Sequence, residues 1–400
     1  MSKIEELIHQ LCPDGVKYEE LGKVCIFKRG STITKKDTTE GDIPVIAGGQ
    51  QPSYYHNLFN REGRTIAISG SGAYAGYVSY WTIPVFLSDS FSVNPDPKLL
   101  ETKFVYYFLK NIQELIHSTK KGSGVPHVQG SSISKFLIPL PPLPIQEEIV
   151  RILDKFTELD AELEAELEAR KKQYEFYRNK LLTPEMVDGK WMMNGEEVEW
   201  KQLGEIGDVT KLAGYEFTAH IKYANVGKII ALRALNVKNG FLDLSNVKYI
   251  DDSNFNKLTR SKLCVNDMLF TYVGTIGQVA LVDYEDRYYL APNVARIRFK
   301  SRLINPIWMR FYFQTNDFIE KQINRYLSTS SMKNLTMENI RKFLIPITTT
   351  KEQERIVSIL GKFDALVNDI SIGLPAEIEA RRKQYEYYRN KLLTFKRIDK

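Results

Sequence analysis

Glu168–Thr183 reads EARKKQYEFYRNKLLT, and Glu379–Thr394 reads EARRKQYEYYRNKLLT. Only Lys171/Arg382 and Phe176/Tyr387 differ, and both exchanges keep the side-chain chemistry. Upstream of each, Phe136–Leu153 (FLIPLPPLPIQEEIVRIL) aligns more loosely with Phe343–Leu360 (FLIPITTTKEQERIVSIL), and Leu21-Gly22 aligns faintly with Leu203-Gly204. Gln146 and Gln353 stand 207 positions apart, whereas Tyr174 and Tyr385 stand 211 apart, so the second copy holds four extra residues between these anchors. The segments in between, Val24–Lys135 and Ile206–Lys342, hardly resemble each other. An idle duplication would have blurred both parts alike. The contrast implies one task done twice by the repeated stretches and two different tasks done by the variable ones.

The repeated stretches read as long amphipathic helices. Ile149, Ile152, Phe156, Leu159, Leu163, Leu167, Tyr174, Tyr177 and Leu181 follow spacings dominated by three and four, a seam of the a/d kind. The extra step of four from Leu163 to Leu167 falls in a doubled tetrapeptide, Ala161–Glu164 and Ala165–Glu168, both AELE. Gln146–Thr183 would measure about 57 Å if wholly helical and would end at Pro184. The second seam runs Ile356, Ile359, Phe363, Leu366, Ile370, Leu374, Ile378, Tyr385, Tyr388 and Leu392, and Gly373 and Pro375 predict a kink or a restart in it. Two such seams in one chain are expected to pack on each other. Both end in a basic, aromatic face whose near-identity suggests docking of two copies of one partner. The expected docking residues are Arg170, Tyr174, Tyr177 and Arg178, and their counterparts Arg381, Tyr385, Tyr388 and Arg389.

The variable segments read as short strands with Gly, Pro and Asn turns plus a helix each. Strands are expected at Ile43–Ala47, Arg64–Ser69, Gly76–Trp81 and Val85–Leu87, with a helix over Lys103–His117 burying Phe104, Phe108, Ile112 and Leu115. In the second segment Met268–Tyr272, Gln278–Val282 and Ala295–Phe299 are the strands and Ile307–Gln322 the helix. Ser69–Gly76 (SGSGAYAG) and Thr271–Gly277 (TYVGTIG) are followed by strands, so they predict hairpin tips presenting Tyr74 and Thr275, not dinucleotide cradles. Loops rich in basic and amide side chains recur, the types that meet phosphates and base edges. The first segment offers Lys28, Arg29, Lys35, Lys36, Gln50, Gln51, Tyr54, Lys120, Lys121, His127 and Gln129; the second offers Arg233, Asn236, Lys238, Gln278, Arg325, Lys333 and Asn334.

Charge agrees, weakly. Lys+Arg 55 against Asp+Glu 49 gives +6, with +2 on residues 1–145, +4 on 184–350 and −3 on the first helix. The composition, 43% hydrophobic and 26% charged, is that of a core-forming protein without disorder-biased tracts. No run of eighteen apolar residues predicts a membrane span, and the start has no apolar secretory core, so a cytoplasmic protein is expected. Cys12, Cys25 and Cys264 lack metal spacing and read as reduced thiols, and the five histidines are scattered. There is no phosphate loop ending in Lys-Ser/Thr, and Pro141-Pro142 lacks the flanks an amino-methyltransferase would need, so a binder is expected, not a catalyst.

Phe136–Leu143 with Gln146-Glu147, Phe343–Ile347 with Gln353-Glu354, the two tyrosine-rich helix ends and the doubled AELE together resemble the specificity subunit of type I restriction–modification systems, over essentially the whole chain. The resemblance implies an α+β fold with two β-rich target-recognition domains separated by two long conserved helices, which form an antiparallel coiled coil in a pseudo-two-fold internal repeat. The corresponding division is 1–145 for the first recognition domain, 146–184 for the central spacer helix, 185–350 for the second domain and 351–400 for the C-terminal spacer helix. It further implies a non-catalytic subunit of bacterial defence. Each domain would read half of a bipartite, asymmetric site in double-stranded DNA, and the helices would set the spacing and dock two methyltransferase subunits, joined by motor-nuclease subunits. No metal or cofactor is expected in this chain: S-adenosylmethionine would serve DNA methylation in the methyltransferase, ATP and Mg the motor-nuclease. A coiled-coil protein scaffold that does not read DNA is the alternative. ITTTK at Ile347–Lys351 departs from the Pro-rich run of the first copy.

Overall fold

The computed structural model describes residues 3–122, 124–212, 219–327, 333–369 and 371–398; Ile370 of the second seam lies outside them. The chain forms two compact units, one comprising residues up to Glu164 together with those from Glu377 onward, the other comprising Ala165–Ala376.

In the first unit Cys25–Arg29, Ser90–Pro95, Thr65–Ser69 and Val78–Trp81 form an antiparallel sheet in that order. In the second, Gly207–Lys211, Val294–Phe299, Met268–Thr271 and Val279–Leu281 repeat that order, again antiparallel. Each unit also holds one parallel pair, Ile43–Ile46 with Phe86–Leu87 and Ile230–Leu232 with Tyr288–Leu290. The two variable segments therefore share a topology that their sequences conceal. The inner strands TIAIS and MLFT are buried along their whole length, as strands covered on both faces must be. Lys28 and Arg29, expected in a loop, close the edge strand Cys25–Arg29, whose Ile26 faces solvent.

The Gly-rich stretches are tight connections between paired strands, as expected. Gly76 (φ 85°) and Gly277 (φ 90°) occupy the left-handed region at matching ends of the two turns. A Cβ would lie 2.9 Å from Ile116 Cγ2 at Gly76 and 2.7 Å from Ile323 Cδ1 at Gly277, so both positions need glycine for room as well as conformation.

Both expected domain helices break. Thr102–Asn111 and Gln113–Ser118 flank Ile112, whose φ of −100° and ψ of 23° shift the helical phase. Ile116 takes the buried place expected for Leu115, which is exposed. Pro306–Tyr312 ends early because Thr315 starts a new turn, its hydroxyl accepting the Phe318 N–H at 3.2 Å.

The repeat motifs build equivalent joints. Tyr18–Glu20 pairs with Leu137–Pro139, and Glu199–Gln202 pairs with Leu344–Ile347, so each FLIP-type strand closes its unit against the segment before Leu-Gly. The Leu21 N–H donates to Phe136 O at 2.9 Å, and the Leu203 N–H donates to Phe343 O at 2.8 Å. Gln146 is fully buried: its amide donates to Leu99 O (2.8 Å) and Pro141 O (2.7 Å) and accepts the Glu101 N–H (2.9 Å). Gln353 does the same with Leu303 O, Thr348 O and the Asn305 N–H. A buried amide satisfying three backbone groups explains why this glutamine recurs.

The central helix spans Leu143–Leu182, 40 residues. It starts before Gln146 because proline is tolerated in a first turn, where Pro144 sits. The second copy is two helices, Thr350–Asn368 and Leu374–Leu392. A Cβ on Gly373 would lie 2.4 Å from the Ala365 carbonyl oxygen, and Pro375 enters the first turn of the restart. In the first unit the front of the central helix packs antiparallel on the last helix: Phe156 stacks on Tyr388 (5.7 Å, 28°), and Arg382 binds Asp160 (2.9 Å) and Glu164. In the second unit its rear packs antiparallel on Thr350–Asn368: Tyr177 stacks on Phe363 (5.6 Å, 25°), and Tyr174 Oη donates to Asp364 at 3.4 Å. Phe156 matches Phe363 and Tyr388 matches Tyr177, so one stack is made twice.

Candidate nucleic-acid interface

In the first unit three loops converge beyond the end of the strand Thr65–Ser69. The hairpin tip is stitched to the loop before Gln129: the Val128 N–H donates to Gly70 O and the Gly72 N–H to Pro126 O, both at 2.9 Å. His127 exchanges backbone hydrogen bonds with Lys121, and Lys120 Nζ donates to Ala73 O at 3.2 Å. The Ser69 hydroxyl donates to Gly49 O at 3.1 Å, which brings the Gln50–Gln51 turn alongside. Exposed Tyr74, Lys121, His127, Gln129, Gln50 and Gln51 thus share one rim with half-buried Lys120.

Arg29 lies at the same end and, with His127 and Gln129, lines a cleft of about 380 Å³ walled by Phe27 and Phe91. Asp89 on its floor sits 4.0 Å from the Arg29 guanidinium and accepts a short hydrogen bond from Ser71. Lys28 and the turn Lys35–Asp37 are exposed. Tyr54, expected to touch nucleic acid, instead donates its hydroxyl to Ile33 O at 2.5 Å and ties down the loop that carries Lys35 and Lys36.

The second unit repeats the stitch. The Leu335 N–H donates to Tyr272 O at 3.0 Å, and Val273 bridges Asn334. Exposed Thr275, Lys333 and Asn334 therefore stand together, as Tyr74 and His127 do in the first unit. Arg325 is exposed beside the Tyr326 ring. Gln278 accepts the Asn239 N–H at 2.8 Å and is half-buried. Lys238 is exposed but paired with Asp243 at 2.6 Å; that ion pair and Ser245 hold the Asp243 carboxyl well below its usual range.

Two expected contacts face inward. Asn236 is fully buried and holds Asp243 O, Asn246 O and the Arg233 N–H. Arg233 is half-buried and donates to Asn246 O at 2.8 Å. Asparagine is common in loops for this reason, and sequence alone could not separate a loop's internal brace from its contact residues. Lys211 was missed. It ends the strand equivalent to Cys25–Arg29 and lies 5.8 Å from the Tyr272 ring. Carrying the Leu21/Leu203 alignment forward would have set it against Arg29.

The expected docking residues also divide. Tyr174 and Arg178 are buried and Tyr177 half-buried within the second unit; Tyr385 and Arg389 are half-buried within the first, and Tyr388 is partly covered by Phe156. Arg170 is exposed and Arg381 half-exposed, each beside a glutamate one turn back. Internal packing thus explains the recurrence of Tyr174, Tyr177 and Arg178, whereas Glu168, Ala169, Lys172, Glu175 and Lys180 recur at exposed positions in both copies. The outward aromatics are the two that differ between copies, Phe176 at 59% and Tyr387 at 62% exposure.

The sequence matches the type I restriction modification DNA specificity domain over residues 13–170 and again over 195–380. The chain belongs to this family. As a member of it, the chain is a non-catalytic DNA-recognition subunit. It is 33% identical over 419 aligned positions to the EcoR124I/EcoR124II specificity subunit of Escherichia coli, covering 99% of this chain and 97% of that one. A putative type I specificity subunit of Haemophilus influenzae is 30% identical over 369 positions, covering 89% of each. Among solved structures, the type I S subunit of M. genitalium superposes with a TM-score of 0.59 over 95% of this chain and 97% of its own, at 18% identity. A chain from a study of complex assembly in the type I system gives 0.60 over 95% and 98%, at 15% identity. Both share this α+β specificity-subunit fold. Among the described residues no helix is long and apolar enough to cross a membrane, and no cluster of three or more His, Cys, Asp or Glu could hold a metal.

Proposed function

We propose that the two stitched rims are the two readers of a bipartite DNA site: the Tyr74–His127 rim reads one half and the Thr275–Asn334 rim the other. What carries this reading is that unrelated sequences place an exposed hairpin tip and a polar loop at matching ends of one shared sheet. Equal scaffolds with unequal side chains fit two readers of unequal half-sites. Lys120, Lys121, Lys28, Lys35, Lys36, Arg325 and Lys333 serve the phosphates; Gln129, His127 and Asn334 face base edges. The central helix sets the gap between the half-sites, and Phe176 and Tyr387 dock two methyltransferase subunits in the cytoplasm. S-adenosylmethionine enters with those subunits, and ATP and Mg with the motor-nuclease.

The test is methylation mapping in a host expressing the complete complex. H127A with Q129A is expected to relax bases in one half-site only, and T275A with N334A in the other only. Loss of both halves together, or no change in either, would overturn the assignment.

A further inference from the structure

The rear of the central helix carries an arginine whose Nε the second unit leaves without a partner. Arg178 is 8% exposed, and its Nε is buried without a hydrogen-bond partner. Its guanidinium lies 5.2 Å from the Tyr174 ring, and the nearest carboxylate, Glu175, is 3.8 Å away on the surface. Asp364, the buried-side carboxylate close to Tyr174, is already held by Arg310 at 2.7 Å and Asn368 at 2.7 Å. The matching arginine of the first unit, Arg389, lies in the same way 5.1 Å from Tyr385, but its Nε donates to Asn111 at 3.2 Å. The same helix face thus has its arginine Nε satisfied in one unit and unpartnered in the other.

Arg178 lines a cleft of about 450 Å³. Lys171, two turns earlier on the helix, adds a second cation beside the Glu175 carboxylate; Gln278, with its amide oxygen already engaged, offers an NH2 donor; Phe313, Ile319 and Val367 give an apolar patch among the amides of Gln314, Asn316 and Asn368. A buried guanidinium Nε without an acceptor is costly, and the fork geometry suits an oxyanion. Glu175 also lines the cleft, so Lys171 and Arg178 leave it a net positive charge, which favours an anionic group. The volume far exceeds that of an inorganic ion, a water taking about 30 Å³, and the apolar patch asks for an organic body.

We propose that the cleft binds a small phosphate monoester with a flat, largely apolar body, of nucleotide size, with Arg178 and Lys171 on the phosphate. The assignment is independent of how the rims read DNA.

The experiment is calorimetric titration of the full chain with adenosine 5′-monophosphate, with adenosine and inorganic phosphate as comparison probes. One site is expected, with adenosine at least about tenfold weaker, and R178Q is expected to weaken the monophosphate about ten- to a hundredfold. R389Q, whose arginine already has a partner, is expected to leave binding unchanged. R178K, keeping the charge without the fork, is expected to bind with intermediate affinity, and it holds the test open should R178Q melt. No heat at millimolar monophosphate overturns the proposal, as does equal loss in R389Q. Phosphate binding as tightly as the nucleotide would make this a bare oxyanion site, and displacement of the nucleotide by duplex DNA would give the cleft to DNA; either result overturns it too.

Discussion

Replacing Gln146 by leucine keeps the volume roughly constant and removes one amide. It strands three backbone groups: the buried carbonyl of Pro141 and the part-buried carbonyl of Leu99 and N–H of Glu101. A buried group left without a partner costs about 1–3 kcal/mol and a part-buried one less, so Q146L is expected to lose about 2–5 kcal/mol. Stability of a folded unit is about 5–15 kcal/mol, so the first unit would be close to its limit. The strain should be local. The stranded groups sit at the start of the helix Thr102–Asn111 and at the entry to the central helix, while the second unit keeps its own glutamine, Gln353. A protein of two units does not unfold in one step, so hydrogen exchange read peptide by peptide is the suitable assay. Faster exchange is expected over residues 99–111 and 139–153 with peptides of 294–313 unchanged, and Q353L is expected to give the converse. A loss below about 1 kcal/mol, or equal loosening of both units, would refute the claim that this side chain is the local keystone.

Tyr177 and Phe363 form the helix stack of the second unit; a double-mutant cycle of Y177A and F363A is expected to show about 0.5–1.5 kcal/mol of coupling, and additivity would count against it. Arg151, and then Lys3, hold the buried Glu148 carboxyl down at about 2 from 4.5, although burial pulls upward. A depressed carboxyl stabilises above its unfolded value, so the first unit is expected to weaken as pH falls from 4.5 towards 2, with E148Q flattening that dependence in acid melts. F176D and Y387D are each expected to remove one methyltransferase subunit from the complex; an unaltered mass by light scattering would contradict the docking reading. Deleting Ala165–Glu168 removes about 6 Å of helix and is expected to shorten the preferred gap by one to two base pairs, at roughly 3.4 Å each; altered half-sites with an unaltered gap would refute it.

The helices were legible because duplication printed their seams twice, and even the restart after Gly373 followed from a glycine and a proline. The shared sheet was not legible. Strand identity survives almost any exchange of apolar residues, so Val24–Lys135 and Ile206–Lys342 lost their likeness while keeping their topology. The helix ends combine two reasons for likeness: Tyr174 and Tyr385 are each packed against their own unit, while Lys172, Glu175, Lys180 and their counterparts match in solvent. At the rims, side chains of the expected types end in solvent at His127 and Lys333. Equally polar side chains brace their own loops at Asn236 and Tyr54, a choice that depends on distances no local pattern encodes.

The first unit is sewn shut by the last residues of the chain. Phe395 shares hydrogen bonds with the Tyr18 hydroxyl, and Lys396 O receives the Val16 N–H at 2.9 Å. The second unit is one unbroken stretch. On a ribosome, therefore, the portion that emerges first is completed last, and the later portion can close while the earlier still waits for its final helix. A message cut short before Glu377 would yield a finished second reader beside an open first one, its apolar seam bare to chaperones and proteases, so that truncated copies betray themselves before they can join a complex.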